Sequence, residues 1–247
     1  MNNKKRVVII GATSAIAEHC AKLWLQKQPV DLTLVGRDEQ RIERVATDLK
    51  VRSPESKIQS VQADFLDSEN INATVENIVQ SGDVDVVLIA HGSLPEQADC
   101  QDDLKACHQA LEVNAVSPVL YAEAFAKQMA KANHGTIALI SSVAGDRGRK
   151  SNYVYGAAKG LVSRYAQGLQ HRFAGTGVKV VLVKPGPTYT PMTAHLRGKG
   201  VKLASVESVA KQIIEGMEAG KPVIYTPRKW NMKSGFGLST DLHQGAL

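Results

Sequence analysis

Cysteine is scarce in this chain. Cys20, Cys100 and Cys107 are three in 247 residues and form neither an even set nor a CxxC pair. That speaks for a reducing compartment and against a disulfide framework or a zinc site, so no metal is expected. Aromatic residues make up only 5% of the chain, which leaves the core to Val, Ile, Leu and Ala. No window approaches the roughly 18 apolar residues that a membrane span needs. The apolar run that starts at Val7 stops at Gly11, too short for the apolar region of a signal peptide, and a cytoplasmic protein without an integral span is expected. The formal net charge of +6 is carried by basic residues that are scattered and not interleaved with stacking aromatics, so nucleic acid is not expected as a partner. A pull toward anionic substrates, or peripheral contact with an acidic membrane surface, fits that charge better.

What the sequence does have is alternation. Apolar runs of strand length recur near residues 6–10, 31–35, 57–62, 84–89, 135–141, 178–183 and 222–225, and longer segments with helical periodicity follow them near 15–28, 39–50, 68–80, 103–131, 153–173 and 205–219. The strands are continuous and β-branched, as in a sheet covered on both faces. With no repeat and no mid-chain linker, the pattern predicts an α/β fold: one doubly wound Rossmann-like domain with a seven-stranded parallel sheet and helices on both faces. Its expected extent is residues 1–232, followed by an irregular or disordered tail over 233–247.

Three residues point to chemistry. Tyr155 and Lys159 stand four apart in a predicted helix, on one face and about 5–6 Å apart at Cβ. A phenol is a poor acid–base group at neutral pH unless a cation stabilises its phenolate, and Lys159 is such a cation. Ser142 follows the strand ending at Ser141, so its hydroxyl should emerge at the carboxyl edge, where open parallel sheets bind ligands. A tyrosine and a lysine one helical turn apart are more often a plain surface pair, and the rest of the chain has to decide.

The turn after the first strand, Gly11-Ala12-Thr13-Ser14-Ala15-Ile16-Ala17, lies where a dinucleotide fold cradles a pyrophosphate against helix amides. Only Gly11 is glycine there, and Thr13 and Ser14 can donate hydroxyl hydrogen bonds. Gly36 takes the place after the second strand where an acid would bind a ribose 2′-hydroxyl. Arg37 beside it suits a 2′-phosphate, so NADP(H) is the preferred cofactor, with Asp38 keeping NAD(H) open. Asp64 and Phe65, after the third strand, are placed to meet the adenine.

Taken together, Ser142, Tyr155, Lys159, the Gly11 turn and the strand order resemble the short-chain dehydrogenase/reductase family over about residues 5–226. The resemblance implies a catalytic set of Asn114, Ser142, Tyr155 and Lys159, with Asn114 helping to hold a water beside the lysine. It implies that Ala90-His91-Gly92 matches the end of the family's NNAG segment and belongs to the cofactor site, His91 departing from the pattern; a surface loop histidine is expected there rather than a catalytic one. Pro185, Gly186, Thr188 and Thr190 match the segment that binds the nicotinamide amide. The implied activity is NAD(P)(H)-dependent hydride transfer between nicotinamide C4 and a ketone or secondary alcohol, with Tyr155 handling the proton and Lys159 depressing its pKa and holding the nicotinamide ribose. The implied assembly is a homodimer or homotetramer. The Gly11 turn also resembles that of a subgroup including the reductase partner of decaprenylphosphoryl-ribose epimerisation. Two basic loops, 146–150 and 195–202, would suit a sugar- or phosphate-bearing substrate. The alternative is a regulatory dinucleotide-binding protein that has the fold without turnover.

Overall fold

The computed structural model describes residues 4–230, and the expected tail over 233–247 lies outside them. Seven parallel strands, β1 (Arg6–Ile10), β2 (Asp31–Gly36), β3 (Ile58–Gln62), β4 (Val86–Ile89), β5 (Gly135–Ile140), β6 (Val178–Pro185) and β7 (Val223–Thr226), form one sheet in the order β3-β2-β1-β4-β5-β6-β7. The sequence progression reverses between β1 and β4, which pair in register from Val7 with Val86 to Ile10 with Ile89. A crevice at the carboxyl ends of the strands is therefore expected at that point.

Successive side chains of a strand point to opposite faces, and β1 shows the result. Val7 and Ile9 enter one apolar core and Val8 and Ile10 the other. The first core is closed by α1 (Ala15–Lys27), α2 (Glu39–Arg52) and α8 (Val206–Glu218). The second is closed by α3 (Ser68–Gln80), α6 (Ser117–Ala132) and α7 (Tyr153–Arg172). Two shorter helices, α4 (Gln97–Asp102) and α5 (Leu104–Leu111), lie before α6.

The predicted single helix over 103–131 is not one element. It starts as α5, passes through a π-helical turn over Glu112–Val116, and resumes as α6 with Pro118 in its first turn. Proline lacks the amide an interior helical position needs, so a restart at 117–118 is where it is tolerated. α4 is only six residues long, too short to show a helical period in the sequence.

Helix capping is uneven, and α4 and α6 lack a side-chain cap as do the two helix starts at the cleft. α2, α3, α5 and α8 are each capped by the side chain of their own N-cap, namely Asp38, Asp67, Asp103 and Ser205. In contrast, Ser14 of α1 and Asn152 of α7 make no side-chain cap. Both stand where the sheet's carboxyl edge opens.

Candidate active site

A cleft of about 160 Å³ runs along that edge, lined by Ser14 and Ile16 at one end, Ser142, Tyr155 and Lys159 in the middle, and Thr188, Thr190 and Met192 on the far wall. Lys159 is 3% exposed, and its Nζ donates to the Ile140 carbonyl at 3.2 Å. Burial brings its pKa down to about 8. Its carbonyl accepts from Ser141 Oγ, just past β5, at 2.8 Å and from Ser163 Oγ, one turn on in α7, at 2.9 Å. Ser141 is thus a positioning residue that sequence reasoning read only as a strand end; the serine doublet at 141–142 was the available signal.

Tyr155 reaches the same cleft one helical turn before Lys159, whose Nζ is 5.9 Å from the centre of its ring. The expected depression of the Tyr155 pKa by Lys159 is not what these side chains give. Burial raises it, and the Ser142 hydroxyl alone pulls it back. The Lys159 ammonium is aimed at Ile140 rather than at the phenol. Ser142 Oγ accepts from the Ala144 amide at 3.1 Å, which leaves its own proton to donate.

Asn114 is fully buried in the π-helical turn, the kind of helix defect that recurs at functional sites. Its carboxamide is engaged throughout: Oδ1 accepts from the Ser93 amide at 2.9 Å, and Nδ2 donates to the Ala110 carbonyl at 2.9 Å. A Cβ on Gly92 would stand 2.8 Å from Asn114 Oδ1 and 3.4 Å from Lys159 Nζ, so a glycine there lets the two side chains converge.

Gly11 has φ +84°, which favours glycine, and a Cβ on it would meet the His91 backbone at 2.6 Å. His91 is not the surface loop histidine expected. It is 8% exposed, with Nε2 2.8 Å from Ser117 Oγ and its ring 4.6 Å from Phe65 and 5.8 Å from Tyr121. Burial, then the charges of Lys159 and Arg37, push its pKa down to about 3, so the imidazole is neutral. Phe65 commits its side chain to that aromatic group, leaving only its main chain to face a ligand. Asp64 is exposed and accepts from the Leu66 amide at 2.9 Å. Ala90 lies beside His91 on the cleft wall, and Ala15 is the first residue of α1 behind Ser14.

On the far wall, Gly186 packs against the Trp230 indole, and Thr188 is 4% exposed with Oγ1 donating to the Gly186 carbonyl. Thr190 caps a short 3-10 turn over Pro191–Leu196. Pro185 ends β6 and lines the cleft. Behind it, the buried Lys184 pairs with Asp146, whose other oxygen accepts from the Tyr225 hydroxyl at 3.1 Å. Of the two basic loops, Arg149 reaches the cleft, whereas Arg197 stacks over the Tyr189 ring at 4.0 Å. Arg37 is exposed at the end of β2 and has no ion-pair partner among the described residues.

The family model for short chain dehydrogenases matches residues 5–200, the span that holds all four of the convergent residues Asn114, Ser142, Tyr155 and Lys159. The chain belongs to the short-chain dehydrogenase family. An uncharacterized oxidoreductase of Staphylococcus epidermidis is 31% identical over 85% of this chain and 90% of its own. One from Streptomyces coelicolor is 28% identical over 90% and 87%. Among solved structures, a short-chain dehydrogenase from Sphingobium yanoikuyae in complex with NADPH superposes with a TM-score of 0.83 at 23% identity, covering 98% of each chain. A bulky-bulky ketone specific alcohol dehydrogenase from Comamonas testosteroni gives 0.82 at 22% identity, over 100% of this chain and 98% of the other. These structures bear out the fold, and the family makes this short-chain dehydrogenase an oxidoreductase.

Proposed function

We propose that the chain is an NADPH-preferring reductase that interconverts a ketone and a secondary alcohol on a substrate carrying an anionic or sugar-linked group. One observation carries the reading: Ser142, Tyr155 and Lys159 converge in a cleft that opens onto the uncapped start of α1. The residues fit a nicotinamide dinucleotide. Ser14 leaves both its hydroxyl and the helix amides without a side-chain cap, and Gly11 keeps the approach clear. Thr13, Ser14 and Ile16 would hold the pyrophosphate, Asp64 and Phe65 the adenine end, and Ala90, Gly92, Lys159, Pro185, Gly186, Thr188 and Thr190 the nicotinamide half. When bound, the cofactor supplies the hydride.

The chain's own residues supply the proton and its control. Ser142 donates to the substrate oxygen, and Tyr155 gives or takes the hydroxyl proton. Lys159, mostly charged at neutral pH with its pKa near 8, would hold the nicotinamide ribose beside Tyr155, whose ring centre lies 5.9 Å from its Nζ. The preference for NADPH rests on the end of β2. A Cβ on Gly36 would lie 2.7 Å from Ile42, so no acid fits there, and Asp38 Oδ1 is occupied in capping α2 through the Arg41 amide. Arg37 is left as the charged group for a 2′-phosphate. Arg149 at the cleft supports the anionic substrate.

The test is calorimetric titration with NADPH and NADH in parallel, followed by turnover of a carbonyl panel containing cyclohexanone, ethyl acetoacetate and dihydroxyacetone phosphate. NADPH should bind more tightly, and Arg37→Ala should weaken NADPH far more than NADH. Equal losses would remove Arg37 from the cofactor site, and NADPH binding with no panel turnover would favour the regulatory alternative.

A further inference from the structure

Asn152 stands at the N-cap of α7, the helix that carries Tyr155 and Lys159, yet it does not cap it. Asparagine is among the strongest N-caps, and its side chain normally accepts from the second or third helical amide. Here its backbone, at φ −162° and ψ 39°, is outside the extended region from which a side chain reaches back. The second helical amide, Val154 N–H, donates instead to Gln97 Oε1 of α4 at 3.1 Å.

α4 is pinned to this first turn at two further points. Gln101 Nε2 donates to the Tyr153 hydroxyl at 3.1 Å, and Cys100 packs with Val154 and Ala110 in a small apolar cluster. Asn152 itself is half-buried and lines the cleft between Arg149 and Tyr155. Its carboxamide, two donors and an acceptor, makes no hydrogen bond with the other described side chains. A cap borrowed from another element has thus replaced the local one at the single helix start that lies next to the catalytic tyrosine.

We propose that Gln97 caps the catalytic helix in place of Asn152 and so releases the Asn152 carboxamide to hydrogen-bond the substrate beside the reacting oxygen. Gln97 is then a positioning residue and Asn152 a substrate-contacting one. The substrate half rests on the carbonyl-reduction reading above; the capping half rests on α7 alone.

Thermal unfolding of wild type, Gln97→Ala, Asn152→Ala and the double variant decides the cap. Asn152→Ala should leave the Tm of wild type within about 1 °C, and Gln97→Ala should lower it by about 2–4 °C. With Gln97 gone, the Asn152 backbone can relax to the extended N-cap conformation and its side chain can accept from the vacated amide, so Asn152→Ala should cost about as much again in that background. Gln97→Glu keeps the acceptor oxygen and should hold the wild-type Tm. An unchanged Tm in Gln97→Ala overturns the cap. An equal loss for Asn152→Ala in both backgrounds, or none in the Gln97→Ala background, overturns the claim that Gln97 releases Asn152.

The substrate half is read with NADPH and whichever panel ketone wild type reduces fastest. Asn152→Ala should raise its KM about threefold to tenfold, the weight of one hydrogen bond, with kcat and NADPH affinity near wild type. Gln97→Ala should raise KM as well, and Gln97→Glu should restore it, a pattern that loss of stability alone does not give. An unchanged KM in Asn152→Ala overturns the substrate contact. A wild type that binds NADPH but reduces no ketone overturns the reduction reading and the substrate half with it, while the four melting temperatures still decide the cap.

Discussion

Lys159 shows how one residue sets function against stability. Its ammonium is buried, with one carbonyl as hydrogen-bond partner among the described residues, and burial lowers its pKa from 10.5 in the unfolded chain to about 8. Below pH 8 it is charged in both states, and the folded state carries the full cost of burial. Between pH 8 and 10.5 the folded state loses the proton first, so stability rises with pH across that window. Lys159→Met should therefore stabilise the protein at pH 7 by about 1–3 kcal/mol while abolishing turnover, and the gain should shrink toward pH 10.5. Chemical denaturation at pH 7 and at pH 10 checks both signs; a variant less stable than wild type at pH 7 would refute the argument. Tyr155→Phe separates chemistry from binding, since it removes one oxygen and little packing. Turnover should fall by orders of magnitude with NADPH affinity within about twofold, measured by single-turnover kinetics and calorimetry.

Elements explain what could be read in advance. The central strands are apolar runs rich in β-branched residues, and their positions were legible because apolar continuity is itself the signal of two-sided burial, whereas the edge strand β3, Ile58-Gln59-Ser60-Val61-Gln62, mixes apolar with polar residues. The Ser142, Tyr155 and Lys159 set was legible because both of its spacings are local. The π-helical turn at Asn114 was not, since an extra backbone residue leaves the apolar pattern nearly intact; Pro118 was the only mark of it. His91 was misjudged for a different reason. Its burial is made by Phe65 and Tyr121, which come from elements distant in sequence, and no local pattern reports that. The seam between the π-helical turn and α7 gives a prediction at this scale: Gly92→Ala puts a methyl against Asn114 Oδ1 and Lys159 Nζ. Turnover should drop more than tenfold with only a few degrees lost in Tm. Wild-type turnover would mean that the two side chains need not converge.

Across the whole molecule, two cores on opposite faces of one sheet hold the cleft edge, and no helix among the described residues is long and apolar enough to cross a membrane. β6 is tied to the turn after Ser142 by charge, through Lys184 and Asp146, and the edge strand β7 is tied to the same carboxylate by the Tyr225 hydroxyl. Asp146→Ala would leave Lys184 buried without its partner and should cost about 2 kcal/mol or more, and adding Lys184→Met should recover most of it. Urea denaturation of the single and double variants measures both, and a double variant no better than the single would deny the pair its role.

Because Asp146 joins the turn after Ser142 to Lys184 of β6 and Tyr225 of β7, the last strand cannot peel from the sheet without slackening the segment that aims the serine hydroxyl. Damage at the far edge, whether by fraying or by a protease, would silence the enzyme before its core began to melt.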